Sequence, residues 1–473
     1  MSDVTLLSEQ NATEEVVRAP FFLRGELVDA DEVRHVSRDL GVTFASPRLQ
    51  LNQLITPRSE PGPLFDVKLD EIIDFLVETG QRLDPDSNPY MAECLERTAR
   101  TNPLPKRVLE NIYKRASGFA TREGLKFQLE ANFGNPAFLD GWVERIDPRG
   151  QRAKIRAFPP RLVHIAAGNS PSGAMATISQ GALVKAVNVV KMPSSDPFTM
   201  VAILRTMADI DSNHPVVKSF SAVYWRGGDE AVERTLLRPQ YFDRIVGWGG
   251  GDAINNLIKY LGPGLQLISF DPKTSISMIG GEALENEKTM DEVAELAAAD
   301  ITVFNQEACL ASRFVFMEGP QDRIDLFCEK LLGRLAIDRD YASAKAPALP
   351  PDMREEVEVL KMMGGEYRVW GQANGSGLVI RAPEPVDFHP TNKTAVVVPV
   401  ARLVDAFRYV NVATQTVGVH PSHRKEELRD GLAAGGAQRI VRLGSAMRNV
   451  MGAPHDAMYP LARFVHWTVD EDI

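Results

Sequence analysis

The hydrophobic rhythm of the chain changes as it is read from one end to the other. Residues 64–135 place apolar side chains at steps of three and four, as in LDEIIDFLVETGQRL and RVLENIYKRASGFATREGLKFQLEANF, which is the spacing of helices with one buried face. From residue 161 short apolar runs alternate with amphipathic ones. RLVHIAAG reads as a strand and AMATISQGALVKA as a helix; NVVKM, FSAVYW, RIVGW and LQLISF continue the strands, with helical DPFTMVAILRTMADI, DEAVERTLL and AINNLIKYL between them. That alternation predicts a parallel sheet covered by helices on both faces, with ligands at the carboxyl ends of its strands. A second series follows: strand SISMIG, helix MDEVAELAAADITVF, strand RFVFMEG, helix DRIDLFCEKLLGRLAI, then EEVEVLKMMG, GLVIRA, AVVVPV, LVDAFRYV and TQTVGVHP. It predicts another α/β unit with its own sheet. Residues 1–60 are mixed and read as a short β-rich or irregular segment, broken by PRSEPGP at 57–63. The ending PLARFVHWTVDEDI reads as an exposed strand able to pair with another subunit.

Composition narrows the function classes. A net charge of −10 without a block of Lys or Arg argues against nucleic acid as a partner. The N-terminal MSDVTLLSEQNATEEVV has neither the basic start nor the apolar centre of a secretory signal, and no run approaches a membrane-spanning helix, so a cytoplasmic protein without an integral membrane segment is expected. Three scattered cysteines, Cys94, Cys309 and Cys328, make neither a disulfide framework nor a zinc site, and no metal is expected.

Four strand-end segments carry candidate chemistry. In HIAAGNSPSGA, Asn169 follows a strand at a turn; its amide can donate to a developing oxyanion, and it equally suits a turn or helix cap. In VVKMPSSDP, Lys191 leaves an apolar strand into a Pro/Ser turn, placed either for a cofactor ribose or phosphate or simply in solvent. In IVGWGGGDAI, Gly249, Gly250 and Gly251 leave backbone N–H groups bare at a helix start, as diphosphate binding requires, though a tight glycine turn reads the same way. In FNQEACLASR, Cys309 lies in a polar joint among Asn305, Gln306 and Ser312, a setting for a nucleophile or for a quietly buried thiol. Cys94 and Cys328 lie within helical runs and read as core. His164 reads as a core histidine, whereas His389 and His455 could contact a site or serve structure.

Taken together with HPTNKTAVVVPV, QTVGVHP and GAPHDAMYPLARFVHW, these segments give the chain from about 161 to 467 the look of the aldehyde dehydrogenase superfamily, and it resembles most the LuxC-type long-chain acyl-CoA (fatty acyl) reductases. The resemblance implies an α/β, aldehyde-dehydrogenase-like fold. A Rossmann-type NAD(P)-binding domain would span 61–275, with a helical lead-in over 64–150 and a doubly wound sheet from about 161. A second α/β catalytic domain with the cysteine would span 276–440. The segment 441–473 would return to the cofactor domain and supply a small oligomerisation strand, in a homodimer or homotetramer. It implies Cys309 as catalytic thiol and Asn169, with the Cys309 N–H, as oxyanion donors. Lys191 would hold the adenosine ribose, and Trp248, Gly249, Gly250 and Gly251 the diphosphate.

Two departures from the hydrolytic relatives matter. Where those carry a water-activating glutamate, this chain has LISFDPKT with Ser269, which lacks useful basicity; Asp271 is two residues away. Where many NAD-preferring relatives place a glutamate three residues after the lysine, this chain has Ser194, which removes repulsion of a 2′-phosphate. The expected reaction is NADPH-dependent reduction of an acyl-CoA thioester to the aldehyde through a cysteine-bound acyl group. Partner proteins that activate or transfer the acyl group are implied by the resemblance. The alternatives are an NAD(P)-dependent aldehyde dehydrogenase, an acyl-phosphate reductase or a non-catalytic nucleotide-binding scaffold.

Overall fold

The computed structural model describes residues 16–169 and 171–472. Two seven-stranded sheets dominate it. The first has the order Gln266–Phe270, Arg244–Trp248, Arg161–Ile165, Val187–Lys191, Phe220–Val223, Phe21–Leu23, Glu26–Val28. Its first five strands are parallel and run outward in both directions from Arg161–Ile165, which pairs with Arg244–Trp248 on one side and Val187–Lys191 on the other. That divergence is the doubly wound topology, and it opens a crevice beyond the carboxyl ends of Arg161–Ile165 and Arg244–Trp248. These strands are near-continuous apolar runs because helices cover both faces: Leu162, Val163, Val189, Val190, Ile245 and Val246 are all buried.

The second sheet has the order Arg368–Gln372, Gly377–Arg381, Thr394–Val400, Ser312–Glu318, Thr274–Ile279, Thr414–His420, Arg439–Arg442, parallel except for Arg368–Gln372. Separate apolar clusters fill its two faces, one built around the helices Glu287–Ile301 and Gln321–Leu335, the other around Pro351–Met363 and Lys425–Gly435. Cys328 lies wholly buried in the first of these, and Cys94 in the core of the first sheet.

Several local features differ from the sequence reading. The β-rich start does not form one layer. Phe21–Leu23 and Glu26–Val28 extend the first sheet antiparallel to Phe220–Val223, and Val17–Arg18, Thr43–Ser46 and Val33–Val36 form a separate three-stranded sheet. The helical lead-in stops at Asp140 rather than running to 150; Val143–Ile146 and Arg152–Phe158 are strands, as the alternation in RAKIRAF requires. The terminal strand His466–Asp472 pairs along the whole of Arg152–Phe158, and Phe464 just before it is buried against the first sheet's core. The helix read as MDEVAELAAADITVF ends at Ile301, because Thr302 bonds back to the Ala298 carbonyl (2.8 Å) and the Phe304 N–H is taken by the Tyr341 carbonyl (2.8 Å).

Among the described residues no helix is long and apolar enough to cross a membrane, and no group of three or more His, Cys, Asp or Glu gathers as a metal site.

Candidate active site

Cys309 sits in a turn directly before the strand Ser312–Glu318, at the amino end of the second sheet, and is half-buried. The turn is built under strain. Phe304, Asn305 and Gln306 have φ of +52°, +53° and +75°, a left-handed region in which each non-glycine residue costs about 1–3 kcal/mol and persists only where its surroundings over-determine it. They do so here. Asn305 Nδ2 donates to Ser343 Oγ (2.9 Å), and the Ser343 N–H donates to Asn305 Oδ1 (2.9 Å). Gln306, fully buried, donates from Nε2 to the carbonyls of Ser312 (3.0 Å) and Thr394 (2.8 Å) and accepts at Oε1 from the Thr394 N–H (2.9 Å). Lys393, equally buried, donates to the carbonyls of Leu335 (3.1 Å) and Ser343, which ties the HPTNKT segment beneath the same turn.

The sulfur meets a polar set. Gln415 Nε2, at the start of the strand Thr414–His420, donates to Cys309 Sγ (3.2 Å) and also to Asp456 Oδ1 (3.0 Å), so one amide nitrogen bridges the thiol and a carboxylate. Asp456 is held at φ +47° with its side chain 4% exposed, and His455 Nδ1 lies 3.3 Å from its Oδ1. Ser275 Oγ donates to the Cys309 carbonyl (2.8 Å) and accepts from the Thr416 N–H (3.1 Å). Burial pushes the Cys309 thiol above its ordinary range; the Gln415 N–H draws it back, Asp456 adds to the rise, and the N–H groups of Leu310 and Cys309 oppose it.

Asn169, beyond the first sheet, donates from Nδ2 to the Glu307 carbonyl (2.9 Å), two residues before Cys309. Its loop is drawn tight, since a Cβ on Gly168 would stand 2.0 Å from Ser195 Oγ, and the Gly168 carbonyl accepts from Asn102 Nδ2 (2.9 Å) and Ser195 Oγ (3.3 Å). The carboxyl ends of the first sheet and the amino ends of the second thus meet across the crevice. Trp248 stacks on Phe270 (3.6 Å, 5°), and the His455 ring stands edge-on to both at 5.4 Å. The Cys309 turn, Asn169 and Trp248 are therefore brought to one crevice.

Lys191, Ser194 and the glycines lie along its other part. Lys191 Nζ sits 5.3 Å from the Tyr224 ring centre, and burial lowers its pKa to about 8, with Glu233 opposing and Arg38 adding to the fall. The helix Gly251–Ile258 starts with Gly250 at its cap position, without a side-chain cap, and a Cβ at Gly250 or Gly251 would meet nothing within 4 Å. Its first-turn N–H groups are left for a ligand. An ammonium without a carboxylate bonded to it among the described residues, a serine hydroxyl and an uncapped glycine-led helix start are what an anionic dinucleotide takes, so the residues present fit one.

Ser269 is on the strand paired with Arg244–Trp248, opposite Gly247, and Asp271 is paired with Lys273 (3.7 Å). His164 is a core group: buried, with Nε2 2.9 Å from Asn188 Oδ1, and its pKa lowered by burial to about 4. His389 stands outside this set, beside Pro390, whose carbonyl accepts from Arg313. Sequence reasoning missed Gln415, Asp456 and Ser275. The first two lie in QTVGVHP and GAPHDAMY, segments already tied to the family resemblance, but nothing local in them marks Gln415 as 3.2 Å from a thiol 106 residues away, or Asp456 as the second partner of its amide.

The family described as Acyl-CoA reductase (LuxC) matches residues 64–467. Among curated relatives, the long-chain acyl-protein thioester reductase of Vibrio harveyi is 26% identical over 466 residues, covering 96% of this chain and 93% of that protein. Its namesake from Aliivibrio fischeri is 28% identical over 418 residues, covering 86% and 83%. Among solved structures, a lactaldehyde dehydrogenase superposes with a TM-score of 0.71 at 15% identity, covering 96% of this chain and 99% of that one. An NADP-dependent glyceraldehyde-3-phosphate dehydrogenase from Bacillus halodurans superposes with 0.70 at 13% identity, with coverage of 96% and 99%.

Proposed function

The chain belongs to the LuxC acyl-CoA reductase family and is an oxidoreductase of the aldehyde dehydrogenase fold, and from that premise we propose that it reduces a long-chain acyl thioester to the aldehyde with NADPH, through an acyl group carried on Cys309. The observation that carries this reading is the half-buried Cys309 sulfur, set on a strained and over-determined turn, with the Gln415 amide 3.2 Å away.

Cys309 Sγ, as the thiolate, attacks the acyl carbonyl carbon. A new S–C bond forms, the donor's S–C bond breaks, and the departing thiol takes the proton that Cys309 gave up. The Gln415 N–H steadies the attacking sulfur, and the Asn169 amide beside the turn donates to the oxygen as it gains charge. Lys191, Ser194 and the Gly249–Gly251 turn would hold NADPH, whose chemistry there would be to supply hydride to the carbonyl carbon. The resulting hemithioacetal on Cys309 collapses, the C–S bond breaks, and the thiolate returns to its Gln415 donor.

Release as aldehyde rather than acid follows from what surrounds the sulfur. Ser269 is no base, Asp271 is engaged by Lys273, and Asp456 is bonded to Gln415 with its side chain almost wholly buried. None of these three side chains therefore offers a free carboxylate to activate water at the acyl-enzyme. This favours reduction over a hydrolytic aldehyde dehydrogenase. The relatives' names describe an acyl-protein thioester, whereas the family's describes acyl-CoA; the two donors present the same carbonyl and differ only in the departing thiol.

The test is intact-protein mass spectrometry after mixing with a panel of acyl-CoAs and acyl phosphates without NADPH. We expect one acyl group on the Cys309 peptide from a long-chain thioester, discharged as aldehyde when NADPH is added. An adduct elsewhere, or none with any donor, overturns the reading; an adduct from acyl phosphate alone replaces the thioester with that donor.

A further inference from the structure

The tip of the N-terminal hairpin comes to rest at the ribose end of the crevice, outside the 64–467 span matched by the family. Between the paired strands Val33–Val36 and Thr43–Ser46 the chain turns through Ser37 to Gly41, closed by the Ser37 N–H donating to the Val42 carbonyl (2.8 Å) and the Gly41 N–H to the Ser37 carbonyl (3.0 Å). The hairpin is anchored by aromatic contacts: His35 and Phe44 stand edge-on to Tyr224, at 4.6 Å and 5.0 Å. Tyr224 is the residue beneath Lys191 Nζ. From the tip, the Arg38 N–H donates to Ser194 Oγ (3.2 Å). Arg38 is therefore fixed by its backbone against the serine expected at the 2′-position, while its side chain is 82% exposed.

The charges around that point are Lys191, Arg38 and, two residues after Tyr224, Arg226, against Glu233, Asp39 and Glu307. Asp39 Oδ1 accepts from Arg38 Nε (2.8 Å), which occupies one edge of the guanidinium. The two terminal nitrogens take no hydrogen-bond partner among the described residues. A guanidinium held at Nε with its Nη pair free is the fork that grips a phosphate through two parallel bonds. Simple solvation of an exposed arginine would account for the free nitrogens, but not for a backbone bond that seats this residue on Ser194.

We propose that Arg38 is a specificity-determining residue for the phosphate on the dinucleotide's ribose, completing with Lys191, Ser194 and Tyr224 a site that accepts NADPH over NADH. The inference rests on the reading of this crevice as the cofactor site. It assigns the N-terminal hairpin a binding role: the hairpin closes the phosphate end, and the first sheet alone does not.

Binding is measured directly, by quenching of protein fluorescence on titration with NADPH, NADH, adenosine 2′,5′-bisphosphate and 5′-AMP. In wild type we expect NADPH and the bisphosphate to bind more tightly than NADH and AMP. Arg38→Ala should weaken NADPH and the bisphosphate about tenfold or more, and Arg38→Glu further, as for loss of a charge-assisted pair. NADH and AMP should move by less than about twofold. Because the side chain is exposed, both variants should keep the wild-type melting temperature. If wild type prefers NADPH and Arg38→Ala keeps that preference, or if all four ligands weaken alike, the role of Arg38 is wrong while the cofactor reading stands. If wild type shows no preference for the phosphorylated ligands, both fall.

Discussion

The turn that carries Cys309 and the turn that carries Gly249–Gly251 meet the same crevice and are built on opposite plans. The first uses three consecutive side-chain-bearing residues in left-handed conformations, Phe304 and Asn305 hydrogen-bonded to the Tyr341–Ser343 loop and Gln306 to Ser312 and Thr394. The second uses glycines with no side-chain cap, and open space above Gly250 and Gly251. A nucleophile must be held to a fraction of an ångström against a carbonyl carbon, and a strained, over-determined turn does that. A diphosphate must be approached by backbone N–H groups, and any side chain there is in the way. The contrast separates atoms that react from atoms that hold.

The largest effect that would sharpen this contrast is expected at Gln306. Gln306→Ala leaves the Thr394 N–H and the carbonyls of Ser312 and Thr394 without their buried partner, and urea unfolding should show a loss of about 3 kcal/mol. Gly251→Ala, on the other plan, should change stability by less than about 1 kcal/mol; a comparable loss at both sites would break the comparison. Next comes Gly251→Asp. A carboxylate in the first helical turn favours the helix but opposes a diphosphate, so NADPH should bind at least about tenfold more weakly while the melting temperature holds or rises.

The smallest effect concerns the thiol. Because burial raises the Cys309 pKa, its alkylation by iodoacetamide should climb with pH beyond the range of an ordinary cysteine. Gln415 opposes that rise, so Gln415→Leu should displace the profile to still higher pH, as loss of a hydrogen bond to the charged form requires. A profile displaced to lower pH would show that Gln415 does not act as a donor to the sulfur.

The elements were legible because their periodicities are strong. The parallel strands from Arg161 onward are solid apolar runs, and their helices are amphipathic. The site was half legible. Asn169, Lys191, Ser194, Cys309 and the glycines lie at ends of elements, where a sequence pattern stops and a residue type stands out. Gln415 and Asp456 could not be found in that way. Gln415 is the second residue of a buried strand, brought to the Cys309 turn by the parallel pairing of Thr274–Ile279 with both Ser312–Glu318 and Thr414–His420. Asp456 lies in a short left-handed turn that joins the set through Gln415, and no local signal encodes either contact. Arg38 was hidden for a related reason: the hairpin reads as an amphipathic β-segment, and only its packing on Tyr224 places it at Ser194. The helical lead-in was overextended because RAKIRAF is a short alternation beside a long helical tract.

The terminal strand has a consequence for how the molecule is made. His466 lies opposite Phe158, so the first half's small sheet joins segments roughly three hundred residues apart, with the entire second sheet encoded between them. The cofactor half therefore cannot be completed on the ribosome ahead of the catalytic half, and a nascent chain halted before 466 leaves the strand Arg152–Phe158 with an open backbone edge. The small sheet is therefore closed only once residues 466–472 have been translated, by a contact between segments far apart in the chain.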